Sequence, residues 1–109
     1  MSNCLDLSGR VAIVTGASRG IGRTIAETLA AHGATLVLNS RQESEIIAQL
    51  SMELTEKFNI PVSYVLGDIS QPQTSANLVK DAFTRYKRLD IYVNNAGVLI
   101  DSLIGMASE

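Results

Sequence analysis

Two rhythms alternate along the chain. Short apolar, β-branched runs read as buried strands, and the longer stretches between them repeat their apolar residues every three or four positions, as helices do. Residues 10–15 predict a first strand, and residues 20–32 a helix with Ile21, Ile25 and Leu29 on one stripe beside Ala26 and Ala30. Gly33 follows as a stop signal. Residues 35–39 predict a second strand. Residues 43–58 predict a helix with Ile46 or Ile47, Leu50, Leu54 and Phe58 on one face. A third strand is expected over 61–66, opened by Pro61 where a missing N–H is tolerated. Pro72 suits the first turn of a third helix, which runs to about Tyr86 and packs through Ala76, Val79, Ala82, Phe83 and Tyr86. A fourth strand spans 91–94 and leads into Asn95-Ala96-Gly97.

Strands apolar on both faces, separated by amphipathic helices, imply a parallel sheet covered by helices. Right-handed crossovers then predict an α/β fold, the first half of a Rossmann-type doubly wound parallel sheet with helices on both faces and spatial order 3-2-1-4. No internal boundary or low-complexity segment interrupts residues 1–109, so they are expected to form one partial domain of this type. Residues 100–109 carry Leu103, Ile104 and Met106, the start of an element with nothing to pack on. The fourth strand would also be an unguarded apolar edge. The expectation is that the chain is the front part of something longer.

Composition narrows the class. Hydrophobic residues make up 46% and charged residues 18%, a globular balance rather than a disordered one. The net charge of -2 comes with no basic block, which argues against nucleic acid or a membrane surface as partner. No apolar run reaches the roughly 18 residues of a membrane span. Cys4 has no second cysteine to pair with, so a reducing compartment, the cytoplasm, is expected. One histidine, His32, and one cysteine far from it cannot build a metal site. His32 reads as a helix C-terminal residue favoured by the dipole.

The chemistry concentrates in Thr15-Gly16-Ala17-Ser18-Arg19-Gly20-Ile21-Gly22, between the first strand and the first helix. Three glycines there allow a tight turn and the close approach of a bulky anion. The helix that follows points its unpaired N–H groups and positive dipole end at the same spot. A pyrophosphate, and hence a dinucleotide, is the expected ligand. The spacing is G-x-x-x-G-x-G rather than G-x-G-x-x-G.

This segment resembles the cofactor loop of the short-chain dehydrogenase/reductase family, written TGxxxGIG. Leu66-Gly67-Asp68-Ile69 and Asn94-Asn95-Ala96-Gly97 are similar to that family's next two motifs, in the right order. The resemblance covers essentially the whole chain, and its wording is nearest to the 3-oxoacyl-acyl-carrier-protein reductase branch. It implies hydride transfer between a nicotinamide and a carbonyl substrate, such as a 3-oxoacyl thioester or an aldehyde, and homo-oligomers in complete members. It also implies that the Asp68 carboxylate bonds the adenine amino group and that Ile69 offers its backbone N–H. The alternative for Asp68 is a cap on the third helix. Gly97 would let the chain pass close to the cofactor ribose, with Asn95 and Ala96 beside it. Asn94 reads as a residue that pins neighbouring strands.

The end of the second strand reads Asn39-Ser40-Arg41, with no carboxylate to hold a ribose 2′-OH. Arg41 and Arg19 could embrace a 2′-phosphate, with hydrogen bonds from Ser40 and Asn39. NADP(H) is the expected cofactor. The alternative for Arg41 is a solvated residue opening the second helix. Gly16, Ser18, Arg19, Gly20, Ile21 and Gly22 complete the candidate set.

The family's chemistry uses Tyr-x-x-x-Lys. Tyr64, Tyr86 and Tyr92 are followed four places on by Asp68, Asp90 and Ala96. No residue here inherits a catalytic role, so these residues alone are expected to bind without turnover. A noncatalytic dinucleotide-binding module and an inactive truncated fragment are the alternatives to an enzyme.

Overall fold

A computed structural model describes residues 6–42 and 44–95 of the chain. The elements are β1 (Val11–Val14), α1 (Gly20–Ala31), β2 (Thr35–Ser40), α2 (Ser44–Phe58), β3 (Val62–Leu66), α3 (Pro72–Tyr86) and β4 (Ile91–Val93). The strands form one sheet in the order β3-β2-β1-β4, and every pairing is parallel. The Rossmann-type half-sheet expected from the sequence is therefore present.

Alternation along the strands decides what each face touches. Ala12, Val14, Leu36 and Leu38 point to one face and join Ala26 and Ala30 of α1 and Ile47, Leu50 and Leu54 of α2. Val11, Ile13 and Val37 point to the other face, where Leu78 and Ala82 of α3 cover them. Helices thus lie on both faces. β1 is buried throughout and β2 nearly so. β3 and β4 are only half buried, because each forms an edge of the described sheet; Tyr64, Leu66 and Tyr92 stand exposed.

Two helix faces differ from the expected ones, and a third settles a choice between neighbours. Ile21 is 71% exposed, and the buried row of α1 is Gly22, Ala26 and Ala30, flanked by Ile25 and Leu29. Small residues at that spacing bring the helix axis close to the sheet, and Ile21, in the first turn, is left facing the loop. On α2 the choice between neighbours resolves to Ile47, while Ile46 is exposed. On α3 the buried row is Thr74, Leu78 and Ala82; Phe83 and Ala76 face outward, and Val79 and Tyr86 are only partly buried.

Both ends of α1 follow local chemistry. His32 caps it, with Nδ1 2.8 Å from the Thr28 carbonyl. Gly33 then turns the chain at φ +96, where an added Cβ would stand 2.8 Å from Ser8 Oγ. α3 begins with Pro72 in its first turn and closes on Lys87 in the left-handed region.

Candidate functional site

The described candidate residues collect at the carboxyl ends of the four strands, as the parallel topology requires. Between β1 and α1 the chain turns through Gly16 at φ +57 and Gly20 at φ +63. These are left-handed conformations that an L side chain adopts only at a cost of about 1–2 kcal/mol. Nothing lies within 4 Å of where a Cβ on Gly20 would be, so that part of the loop opens outward.

Two loop amides are already committed to the fold. Gly16 N donates to Asn39 Oδ1 at 3.3 Å, and Ala17 N donates to the Asn39 carbonyl at 2.8 Å. Ser18 is 5% exposed, whereas Arg19, Gly20 and Ile21 are exposed. α1 starts after Arg19, whose backbone is extended and whose side chain makes no capping hydrogen bond, and no acid occupies the first turn. An uncapped helix start, free of negative side chains and open at Gly20 and Ile21, has the donor chemistry a pyrophosphate needs.

Asn39 was expected to reach toward the cofactor. It is instead 1% exposed, and its amide nitrogen donates to the carbonyls of Val65 and Gly67, both at 3.1 Å. One side chain thus joins the β1 loop to the ends of β2 and β3. Ser40 is equally buried, and its carbonyl accepts from Gly67 N at 3.0 Å. Arg41, the next residue, leaves the sheet and exposes 74% of its side chain.

Arg41 does not stand alone. Its Nη2 lies 3.4 Å from Asp68 Oδ2. Asp68 Oδ1 accepts from Ser70 N at 2.9 Å and Ser70 Oγ at 2.8 Å. Those two bonds hold the Asp68 carboxyl below its usual range, with Arg41 adding to the effect. The N-cap of α3 is Gln71, so Asp68 forms the turn before the helix rather than capping it. Ile69 packs its side chain against the α3-side core.

At β4, Thr15 is the hub. Its hydroxyl accepts from Asn95 N at 2.7 Å and lies 3.3 Å from both the Val93 carbonyl and Asn94 Oδ1. Asn94 thus contacts the β1 end, in keeping with the pinning role read from the sequence. Ala96 and Gly97, the remaining candidates, lie outside the described residues, as do Cys4 and residues 100–109.

A recess of about 340 Å³ opens between the loop and α2, lined by Ser18, Arg19, Arg23, Ile46, Gln49, Leu50 and Glu53. Arg23 was missed in the sequence, although it follows Arg19 by one helical turn. It pairs with Glu27 at 3.3 Å and Glu53 at 3.6 Å. A larger groove of about 710 Å³ along α2 and β3 shares no residue with the loop. Among the described residues no group of acids, His or Cys could hold a metal, and no helix is long and apolar enough to cross a membrane.

Comparison with known proteins agrees with this geometry. The chain is 36% identical over 100 residues to an uncharacterized oxidoreductase of Staphylococcus saprophyticus, covering 92% of this chain and 42% of that protein. It is 38% identical over 103 residues to 3-oxoacyl-(acyl-carrier-protein) reductase FabG of Chlamydia muridarum, covering 94% and 41%. The crystal structure of L-sorbose reductase from Gluconobacter frateurii, complexed with NADPH and L-sorbose, superposes with a TM-score of 0.80 at 38% identity. That match covers 86% of this chain and 35% of the reductase. The chain therefore spans less than half the length of these relatives. The family model for short chain dehydrogenases matches residues 10–109, and the chain belongs to that family.

Proposed function

We propose that the chain holds NADP(H) for an oxidoreductase that passes hydride between the nicotinamide and a small carbonyl substrate. The observation that carries this reading is the open, uncapped start of α1 beside a β2 end that offers Arg41 and no acid in its Asn39-Ser40-Arg41 run. The backbone at Gly20, Ile21 and Gly22 takes the pyrophosphate. Arg19 and Arg41 take the 2′-phosphate, since guanidinium groups match phosphate oxygens in pairs. Ser18 borders the recess that Arg19 lines. Asn95, Ala96 and Gly97 pass beside the ribose of the bound cofactor. The nicotinamide supplies the hydride chemistry. FabG and L-sorbose reductase, by their names, support a carbonyl such as a 3-oxoacyl thioester or a ketone sugar as substrate.

The same proposal places the complete protein in the cytoplasm as a homo-oligomer; the one cysteine of these 109 residues, Cys4, suits a reducing compartment. A second reading, dinucleotide binding without turnover, is favoured for these residues taken alone by their lack of any Tyr-x-x-x-Lys.

Titration of NADPH against NADH tests the reading. NADPH should bind more tightly, and Arg41→Gln should weaken it by about 1–3 kcal/mol, the range for a charged hydrogen bond. Equal affinity for the two cofactors would refute the roles given to Arg19 and Arg41.

A further inference from the structure

We infer that Asp68 limits how strongly this chain prefers a 2′-phosphorylated cofactor, by competing with that phosphate for Arg41. The inference rests on the NADP(H) reading above and adds a residue that sets its degree.

The strand register brings the two side chains together. Asn39 pairs with Val65 and Ser40 with Leu66, so the chain leaves β2 at Arg41 close to where it leaves β3 toward Asp68. The backbone before Asp68 is fixed, because Gly67 N donates to Ser40 O and Gly67 O accepts from Asn39 Nδ2. The Asp68 carboxylate is fixed as well, by both bonds from Ser70. Its second oxygen, Oδ2, is the one that faces Arg41. Arg41 is the more exposed partner: 74% of its side chain is open to solvent, against 35% for Asp68.

A phosphate that engages Arg41 therefore enters the field of a carboxylate that cannot follow the guanidinium away. The repulsion falls on the extra phosphate. A ribose 2′-OH carries no charge and does not feel it. Both groups are partly exposed, so water and salt weaken the effect without abolishing it. Any contact of Asp68 with adenine would act on both cofactors alike and cancel in their ratio.

The experiment is a fluorescence titration of NADPH and NADH on the intact protein, on Asp68→Asn, on Arg41→Gln and on the double variant. Asp68→Asn keeps an acceptor for Ser70 and removes the charge. It should raise the ratio of the NADH to the NADPH dissociation constant by about three- to tenfold at low salt, and by less at high salt. In the Arg41→Gln background the same change should move the ratio by much less, because the guanidinium for which the two anions compete is gone. Equal movement of both constants in Asp68→Asn, or a ratio change just as large without Arg41, overturns the inference and spares the cofactor reading. Failure of the unmodified protein to bind either cofactor overturns both.

Discussion

Gly22 on α1 lies so close to Asn95 at the end of β4 that an added Cβ would stand 2.6 Å from Asn95 Nδ2 and 2.1 Å from the Gly16 carbonyl. The second approach is to backbone, which no rotamer change can relieve. Gly22 therefore sets how closely α1 closes onto the β1 turn. Gly22→Ala should destabilise the protein by about 3 kcal/mol, at the upper end of ordinary overpacking, and misplace the start of α1. Gly20→Ala meets open space and suffers only from its positive φ, at about 1–2 kcal/mol. Urea unfolding of the two variants checks the order; equal losses would deny the close approach at Gly22.

Asn39 bonds three backbone groups on two separate segments with one buried amide. Asn39→Ala leaves the Val65 and Gly67 carbonyls without that donor, and the expected loss is about 2–3 kcal/mol. Asn39→Asp keeps the acceptor for Gly16 N and turns a negative charge toward two carbonyls. Its folded pKa would rise above the unfolded value, so its deficit should shrink as pH falls and the acid becomes neutral. Denaturation of this variant at pH 7 and pH 4 measures the change. A deficit that grows on acidification would place the side chain elsewhere.

Architecture was legible because the two rhythms of the chain differ so clearly. The runs around Val11–Val14 and Thr35–Ser40 cannot be helices of useful length, and the spacing of Ile47, Leu50 and Leu54 cannot be a strand. Helix faces were less legible. Ile21 and Ile25 look equivalent as residue types, and only the contact of Gly22 with Gly16 and Asn95 decides which one turns inward. Leu78 was overlooked for the same reason, since Ala76 and Phe83 made an alternative row. The loop and Arg41 were legible as motifs, but the roles of their neighbours were not. Asn39 could be seen as a pin, and Asp68 as the partner of Arg41, only once β2 and β3 were in register.

The α1 row gives a direct test of that revision. Ile21 is exposed, so Ile21→Ser should change stability by about 0.5 kcal/mol or less. Ala26 is fully buried against the sheet, and Ala26→Leu should cost about 1–3 kcal/mol through overpacking. Thermal melts of both variants distinguish the two faces. A larger loss at Ile21 would restore the stripe expected from sequence alone.

The opposite end of the sheet makes a pH-dependent prediction. Asp90 Oδ2 accepts from Val11 N at 2.8 Å, and Arg88 forks onto both carboxylate oxygens, each at 2.8 Å. Arg10 approaches at 3.6 Å. The Arg88 bonds first, then the Val11 amide, push the Asp90 carboxyl far below its ordinary value of 3.8. A carboxyl depressed by folding adds stability that is complete above the unfolded value and is lost as pH falls toward the folded one. Asp90→Asn should therefore be less stable than the unmodified protein at pH 7 and pH 5, with the gap closing below 3.8. Urea midpoints for both proteins across that range measure it. A gap that stays constant to pH 2 would mean that the charge of Asp90 does not help tie β4 to β1.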